Sequence, residues 1–373
     1  MQVFCLPGLA GIQLMRNFMQ KNNKMPRLVL LLLSMAAALF SGCQPEKKPE
    51  VDYVMLEGEA MGTYYRVTYA DSLQRDFTPE IEAFLLDLNR EASTYLDTSI
   101  ISRFNATPAL DVVLPVSARH FLTNFVKSRE VYGASDGAFD PTVMPLVTYW
   151  GFGVKPKNVD RVDSLKVDSL RQLVGLNKIR MIPVGKDSVL LQKAAPGVQL
   201  DFNAIAQGYG VDEVGRILES KGVSAYLVDI GGEVVARGLN PRGQPWTIGI
   251  NTPTENGQTD EIFTTVPLID RALATSGNYR KFYQVEGVKF SHTINPQTGY
   301  PERNALLSAS VFAPDAMTAD AYATACMVLG PEKGMAMIER MENLEAYFII
   351  GEPNGTMSVK YSRGLERLFP NKK

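Results

Sequence analysis

Of the two histidines in 373 residues, His292 has the better surroundings for chemistry. It lies in Ser291-His292-Thr293-Ile294-Asn295-Pro296-Gln297-Thr298-Gly299-Tyr300, a turn-rich loop whose Pro and Gly can hold a side chain toward a cavity. An imidazole titrates near neutrality, so there it can face a ligand or take a proton from a hydroxyl nucleophile. His120 falls beside Phe121 in an amphipathic stretch and reads as structural. Asp320 and Thr324 stand four apart in a helical pattern, a carboxylate and a hydroxyl on one face amid Ala319, Ala321, Ala323 and Ala325. Two hard oxygens among small residues suit Mg²⁺, which keeps few protein ligands. The same pair also reads as a helix cap with a threonine bonded back to its own helix, and the pattern leaves both open. A formal Gly133-x-Ser135-x-Gly137 follows an amphipathic helix instead of the strand a nucleophile elbow requires.

These side chains need elements to hold them. The central one is 199–212, where a strand-like run reaches Asp201 and turns into a helix with Ala206, Tyr209, Val214, Ile217 and Leu218 at helical spacing. Free amides at a helix start, with Ala204 and Gly208 permitting close approach, suit an anion. Further small-residue turns are expected at 229–233 and 274–279, so the three together suggest a shared pocket. Each alone also reads as ordinary loop punctuation. Neither the dinucleotide fingerprint nor the Walker phosphate loop occurs.

Around them the spacing predicts a strand pair across 55–69, helices at 79–88, 117–132 (capped by Ser117, burying Phe121, Leu122, Phe125 and Val126) and 160–173, and a hairpin at 179–191. Strands follow near 225–230, 234–237, 246–250 and 263–268, then helices at 317–329 and 332–341 and a strand at 346–350. Strands in hairpin-like pairs, interrupted by helices without strict alternation, indicate an α+β fold built mainly of antiparallel sheet. One catalytic domain over 53–373, with room for two subdomains, is expected.

The composition is that of a folded chain, 45% hydrophobic, and a net charge of -2 without long runs gives no footprint for nucleic acid. Three cysteines build no disulfide framework. The apolar run 28–40 follows Lys21, Lys24 and Arg27 and precedes Ser41-Gly42-Cys43, the layout of a bacterial lipoprotein signal peptide over 1–42. Cleavage would leave Cys43 as a lipidated N-terminus with 43–52 as tether. The domain would then be anchored to a membrane outside the cytoplasm, on the periplasmic side. Residues before Met19 or Met25 read as an over-extended start.

Taken in order, Met61-Gly62-Thr63-Tyr64, 135–142, 200–212, 229–232, the pair 274–279 with 292–299, and Ala319-Asp320 with Thr324 resemble the ApbE family, FAD:protein FMN transferases. The resemblance implies an FAD site lined by Met61, Tyr95, Ala138, Phe139, Asp140, Asp201, Gln207 and Ile294. It implies Mg²⁺ held by the Ala204 carbonyl, Asp320 and Thr324, and His292 as base. The implied reaction moves FMN from FAD to a Thr or Ser hydroxyl of an exported or membrane redox protein and releases AMP. An FAD pyrophosphatase or a non-catalytic flavin-binding lipoprotein are the alternatives. Gln207 stands where the family commonly has Lys, and Glu233 where it commonly has Asn.

Overall fold

Alternating apolar side chains decide the main sheet. The computed structural model describes residues 52–154, 159, 161–254, 261–278, 282–285 and 288–369, with 282–285 and 288–290 described as backbone alone. The expected leader, Cys43 and nearly all of the tether therefore lie outside the described residues.

In chain order come β1 Tyr53–Ala60, β2 Thr63–Ala70, α1 Thr78–Ala92, α2 Ile100–Ala106, β3 Asp111–Pro115, α3 Arg119–Ala134, α4 Met144–Tyr149 and α5 Ser164–Arg171. Then follow β4 Ile179–Val184, β5 Ser188–Lys193, α6 Ala206–Ser220, β6 Tyr226–Ile230, β7 Glu233–Arg237, β8 Trp246–Asn251, β9 Ile262–Leu268 and β10 Arg271–Gly277. The chain closes with β11 Phe282–Val285, β12 Val288–Ser291, β13 Leu306–Ala313, α7 Ala316–Ile338, β14 Glu345–Gly351 and β15 Met357–Tyr361.

Eight strands form one sheet in the order β1-β2-β6-β7-β10-β13-β14-β15, and its neighbouring pairs run antiparallel. The register sets Tyr65 opposite Ile230 and Val67 opposite Val228, all four buried. Because side chains alternate across a strand, each face has its own core. Val235, Ala272, Ala274, Val311, Ala346 and Phe348 face the large cluster that also takes α1, α3, α6 and α7. Val234, Ala236, Leu273, Phe312, Tyr347 and Ile349 face a second cluster covered by Trp246, Ile250, Val266 and Leu268 from the β8–β9 hairpin, with Leu365 and Phe369. The α+β expectation holds, with mostly antiparallel sheet.

Small residues let α7 lie close to the sheet. Ala319, Ala321, Ala323 and Ala325 are all buried and belong to the same cluster as Ala272, Ala274 and Ala309 of the strands. The break between the two expected C-terminal helices is real: Gly330 takes φ 76° and Pro331 follows inside α7. Pro removes the backbone donor that would continue the ladder.

Several local expectations are corrected. Residues 274–277 are the second half of β10, not a turn, because Thr275 and Ser276 pair with Ser310 and Ala309 of β13. No strand leads into Asp201; its backbone amide bonds to the Pro141 carbonyl in irregular chain. Helix α3 starts at Arg119 without a side-chain cap, so Ser117 does not cap it, and Val126 faces solvent. The expected 160–173 helix is the shorter α5, capped by Asp163, whose Oδ1 accepts from the Lys166 amide. Ser135 is buried at the C-cap of α3, its hydroxyl oxygen accepting from the Phe139 amide, which accounts for the serine without nucleophilic chemistry.

Candidate functional site

Helices α6 and α7 cross where their first turns meet, and a glycine makes the crossing possible. A Cβ on Gly208 would stand 2.3 Å from the Ala316 carbonyl oxygen and 2.9 Å from Cβ of Asp320. The sequence suggested that Gly208 opens the way to a ligand; the structure shows that it opens the way to α7. Its amide donates to Oδ2 of Asp320 at 3.1 Å. One turn along α6, the Asp212 carboxylate accepts from the Ala316 amide at 2.7 Å and the Met317 amide at 2.9 Å. Asp315 accepts from Thr318 at 2.8 Å. The N-terminus of α7 is thus capped twice, once from its own chain and once across the crossing.

This arrangement sets Asp320 and Thr324 against a cleft of about 370 Å³. The lining includes Met61, Tyr95, Ala138, Phe139, Asp140, Asp201, Ala204, Gln207, His292, Ile294, Asp320 and Thr324, so each residue singled out from sequence for the FAD site, the metal or the base borders one cavity. Met61 reaches it from the β1–β2 turn, where Met61 and Gly62 take φ 55° and 77°. A non-glycine residue held in that region carries backbone strain, which is often found at ligand sites. Asp140 and Asp201 approach from the two sides of the backbone bond between Asp201 and Pro141.

The His292 loop is built as a stiff support. Asn295 caps its own turn by accepting from the Gln297 and Thr298 amides and donates to Oε2 of Glu302 at 2.8 Å. Thr293 Oγ1 donates to Asn278 at 2.6 Å, and Gln297 donates to the Asp136 carbonyl at 2.9 Å. Trp150 Nε1 donates to the Gly299 carbonyl at 2.8 Å, tying the loop to the small core of Leu146, Trp150, Val167 and Ile294. The ring of Phe152 meets the His292 imidazole edge to face with centroids 6.4 Å apart.

The electrostatics are unusual for a cleft that would take a phosphate ester. Four carboxylates line it (Asp140, Asp201, Glu233 and Asp320), while among the described lining residues there is no Lys or Arg. Burial pushes Asp320 above the usual carboxylate range, against the Gly208 hydrogen bond, with the Asp212 charge adding to the rise. Burial lifts Asp140 to about 6 despite hydrogen bonds from the Thr142 hydroxyl and amide. Asp201 is raised by burial, and Tyr95 is raised by burial and by the Asp201 charge.

Three contacts were not legible from sequence. Asp212 looked like one more polar residue on α6, although its position four after Gly208 puts it on the same buried helix face. Thr275 and Ser276 of β10 line the cleft, and Ser276 Oγ lies 3.3 Å from Thr324 Oγ1. Gln207 and Glu233, two positions where the resemblance leads one to expect another residue, hydrogen-bond to each other, and Gln207 also donates to the Ile230 carbonyl at 2.7 Å. Two residues that look independent in the chain therefore form one contact.

Comparison with known proteins gives the family and the fold. A family model described as the ApbE family matches residues 61–348. A protein from Haemophilus influenzae called FAD:protein FMN transferase is 36% identical over 354 residues, covering 93% of this chain and 100% of that one. The Escherichia coli K12 protein of the same name is 34% identical over 325 residues, covering 85% of this chain and 91% of its own. Among solved structures, the flavin transferase ApbE from Vibrio cholerae superposes with a TM-score of 0.74 at 33% identity, over 85% of this chain and 99% of that one. The apo form of the Pseudomonas stutzeri flavinyl transferase ApbE gives a TM-score of 0.74 at 34% identity, over 86% and 97%. The matched family model runs from the β1–β2 turn into β14 and takes in every lining residue named above, and the chain belongs to the ApbE family.

Proposed function

We propose that this chain transfers the FMN half of FAD to a Thr or Ser hydroxyl of an exported or membrane redox protein, releasing AMP. The observation that carries the reading is the meeting of Asp320, Thr324 and His292 at one cleft whose described lining holds four carboxylates and no Lys or Arg. A diphosphate would be repelled there unless a cation accompanied it.

The donors at hand fit such a cation. The Ala204 carbonyl, the Asp320 carboxylate and the Thr324 hydroxyl are hard oxygens, the set that Mg²⁺ takes while keeping water and phosphate oxygens in its other positions. When bound, Mg²⁺ offsets the pyrophosphate charge as a Lewis acid.

The chain's own groups do the rest. His292 accepts the proton of the acceptor hydroxyl as that oxygen forms its bond to the FMN phosphorus. The bond from this phosphorus to the bridging oxygen breaks, and AMP leaves with that oxygen. The Gly208 amide holds the Asp320 carboxylate in place, and Tyr95 and Phe139 offer faces to the aromatic rings of FAD. Met61, Ala138, Asp140, Asp201, Gln207 and Ile294 complete the FAD site in this reading.

Incubating the purified protein with FAD, Mg²⁺ and a Thr-containing acceptor peptide should yield a covalent flavopeptide by mass spectrometry. Free FMN and AMP with no modified peptide would replace transfer by FAD pyrophosphatase activity. Intact FAD after long incubation would make the protein a flavin-binding carrier. The proposal extends to location: the charged flank, the run 28–40 and Ser41-Gly42-Cys43 support export and a lipid anchor on Cys43, with the catalytic domain on the periplasmic side. Labelled palmitate should enter the parent and not Cys43→Ser.

A further inference from the structure

The junction of α1 and α3, outside the cleft, leaves one nitrogen unexplained. His120 is fully buried, yet its Nε2 has no hydrogen-bond partner. That nitrogen lies 3.5 Å from Oδ2 of Asp87 without a hydrogen bond between them. Asp87 and Glu91 are four apart on α1 and so share a helix face, while His120 comes from the first turn of α3. One donor atom from each of the three falls within 4.8 Å of the others.

We propose that His120 Nε2, Glu91 and Asp87 form a cation site that takes a borderline divalent ion such as Zn²⁺. One imidazole and two carboxylates are a ligand set for Zn²⁺ with water in the fourth position, and imidazole is a poor match for Mg²⁺. The outer contacts are already in place. His120 Nδ1 lies 2.8 Å from the Tyr209 hydroxyl, so a proton on Nδ1 donated there turns the Nε2 lone pair toward the carboxylates. Glu91 is buried and anchored by the Phe121 amide, which donates to its Oε2 at 2.9 Å. Around a tetrahedral ion with bonds of about 2.0 Å the donors would stand roughly 3.3 Å apart. His120 Nε2 and Asp87 Oδ2 are already 3.5 Å apart, and the Asp87 side chain, 53% exposed, can rotate inward. The same exposed side gives the ion its way in. An ion here would brace α1 and α3 and, through Tyr209, the helix that carries Gln207 and Gly208.

The test uses the metal-stripped full-length protein with His292→Asn, which leaves His120 as its one imidazole. Zn²⁺ is titrated in excess Mg²⁺ and followed by calorimetry and by nitrogen NMR of the histidine ring. The expected result is uptake of one equivalent with the Nε2 resonance shifted by ligation, and a melting temperature that rises with Zn²⁺. Asp87→Asn, a change on the exposed side of α1, should weaken this uptake 10- to 100-fold, and Glu91→Gln likewise. A His120 ring whose resonances respond to pH and not to Zn²⁺ would make the cluster an ion pair and overturn the proposal. Uptake of the same strength in Asp87→Asn and Glu91→Gln would overturn it as well.

Discussion

Replacing Gly208 by alanine tests the helix crossing on which the candidate site rests. The new methyl group would stand 2.3 Å from the Ala316 carbonyl oxygen, about 1 Å short of ordinary contact, and the obstacle is backbone that cannot swing aside. Relief requires α6 and α7 to part by roughly that distance at the level of Asp320. Overpacking of this kind costs about 1–3 kcal/mol, offset by up to ~1 kcal/mol from the better helix propensity of alanine. Net destabilisation is therefore about 0–3 kcal/mol.

The effect on chemistry should be far larger. Asp320 loses its place against the Gly208 amide, and a displacement of about 1 Å at a reacting site can cost on the order of 10²-fold in rate. The assay is the rate of flavin transfer to an acceptor peptide, read by flavin fluorescence on a denaturing gel, with thermal melts in parallel. Gly133→Ala in α3 is the control, since a Cβ there meets nothing within 4 Å. Transfer by Gly208→Ala within twofold of the parent, or a loss matched by Gly133→Ala, would refute the reasoning.

His292→Asn should lower kcat by about 10²–10⁴-fold while FAD affinity in equilibrium dialysis changes little; a large loss of affinity would make the imidazole a ligand contact and not the base. Gln207→Lys puts an ammonium beside Glu233 in a carboxylate-rich cleft, so FAD should bind several-fold tighter at low salt and lose that gain at high salt, and unchanged affinity would refute the charge argument. Burial lifts Asp212 to about 7, above the usual unfolded carboxylate near 3.9, so its share of stability is full below about pH 4 and lost as pH rises through 7. Melts in chelator should show the parent more stable at pH 5.5 than at pH 8 by more than Asp212→Asn is; equal differences would show that Asp212 does not titrate with folding.

How far the sequence reveals this molecule depends on the range of the interaction. Hairpins such as β1–β2 and β4–β5 follow from alternation and from turns at Met61-Gly62 and Gly185, because those signals lie within a few residues. The break in α7 at Gly330-Pro331 is equally local. By contrast 274–277 has the small, polar composition of a turn, and only pairing with β13 makes it strand. Asp212 could be seen as polar but not as a cap, since its partners are more than 100 residues away. The site residues were found through the resemblance of separated motifs; spacing alone offered Asp320 with Thr324 and His292 but could not bring them together. The contact of Gln207 with Glu233 was not legible, because the first turn of α6 and the start of β7 have no fixed distance until the helix packs on the sheet.

The charge of the cleft joins two experiments that otherwise look contradictory. If four carboxylates face the diphosphate and the compensating charge comes from Mg²⁺, chelating the metal should weaken FAD binding in the parent as well as stop turnover. Two unit charges 4 Å apart interact by about 4 kcal/mol at an effective dielectric of 20, so the weakening should reach at least tenfold. Asp320→Ala should behave differently. In the proposed reading it removes the metal's carboxylate ligand but also one of the repelling charges, so turnover should collapse while FAD affinity falls much less than it does on chelation. Fluorescence titration of FAD into the parent with and without EDTA, and into the variant, separates the cases. Equal affinity in the parent with and without metal would mean that the carboxylates do not act on the diphosphate. An Asp320→Ala variant that loses binding and turnover together would mean that this side chain touches the flavin nucleotide and is not a metal ligand.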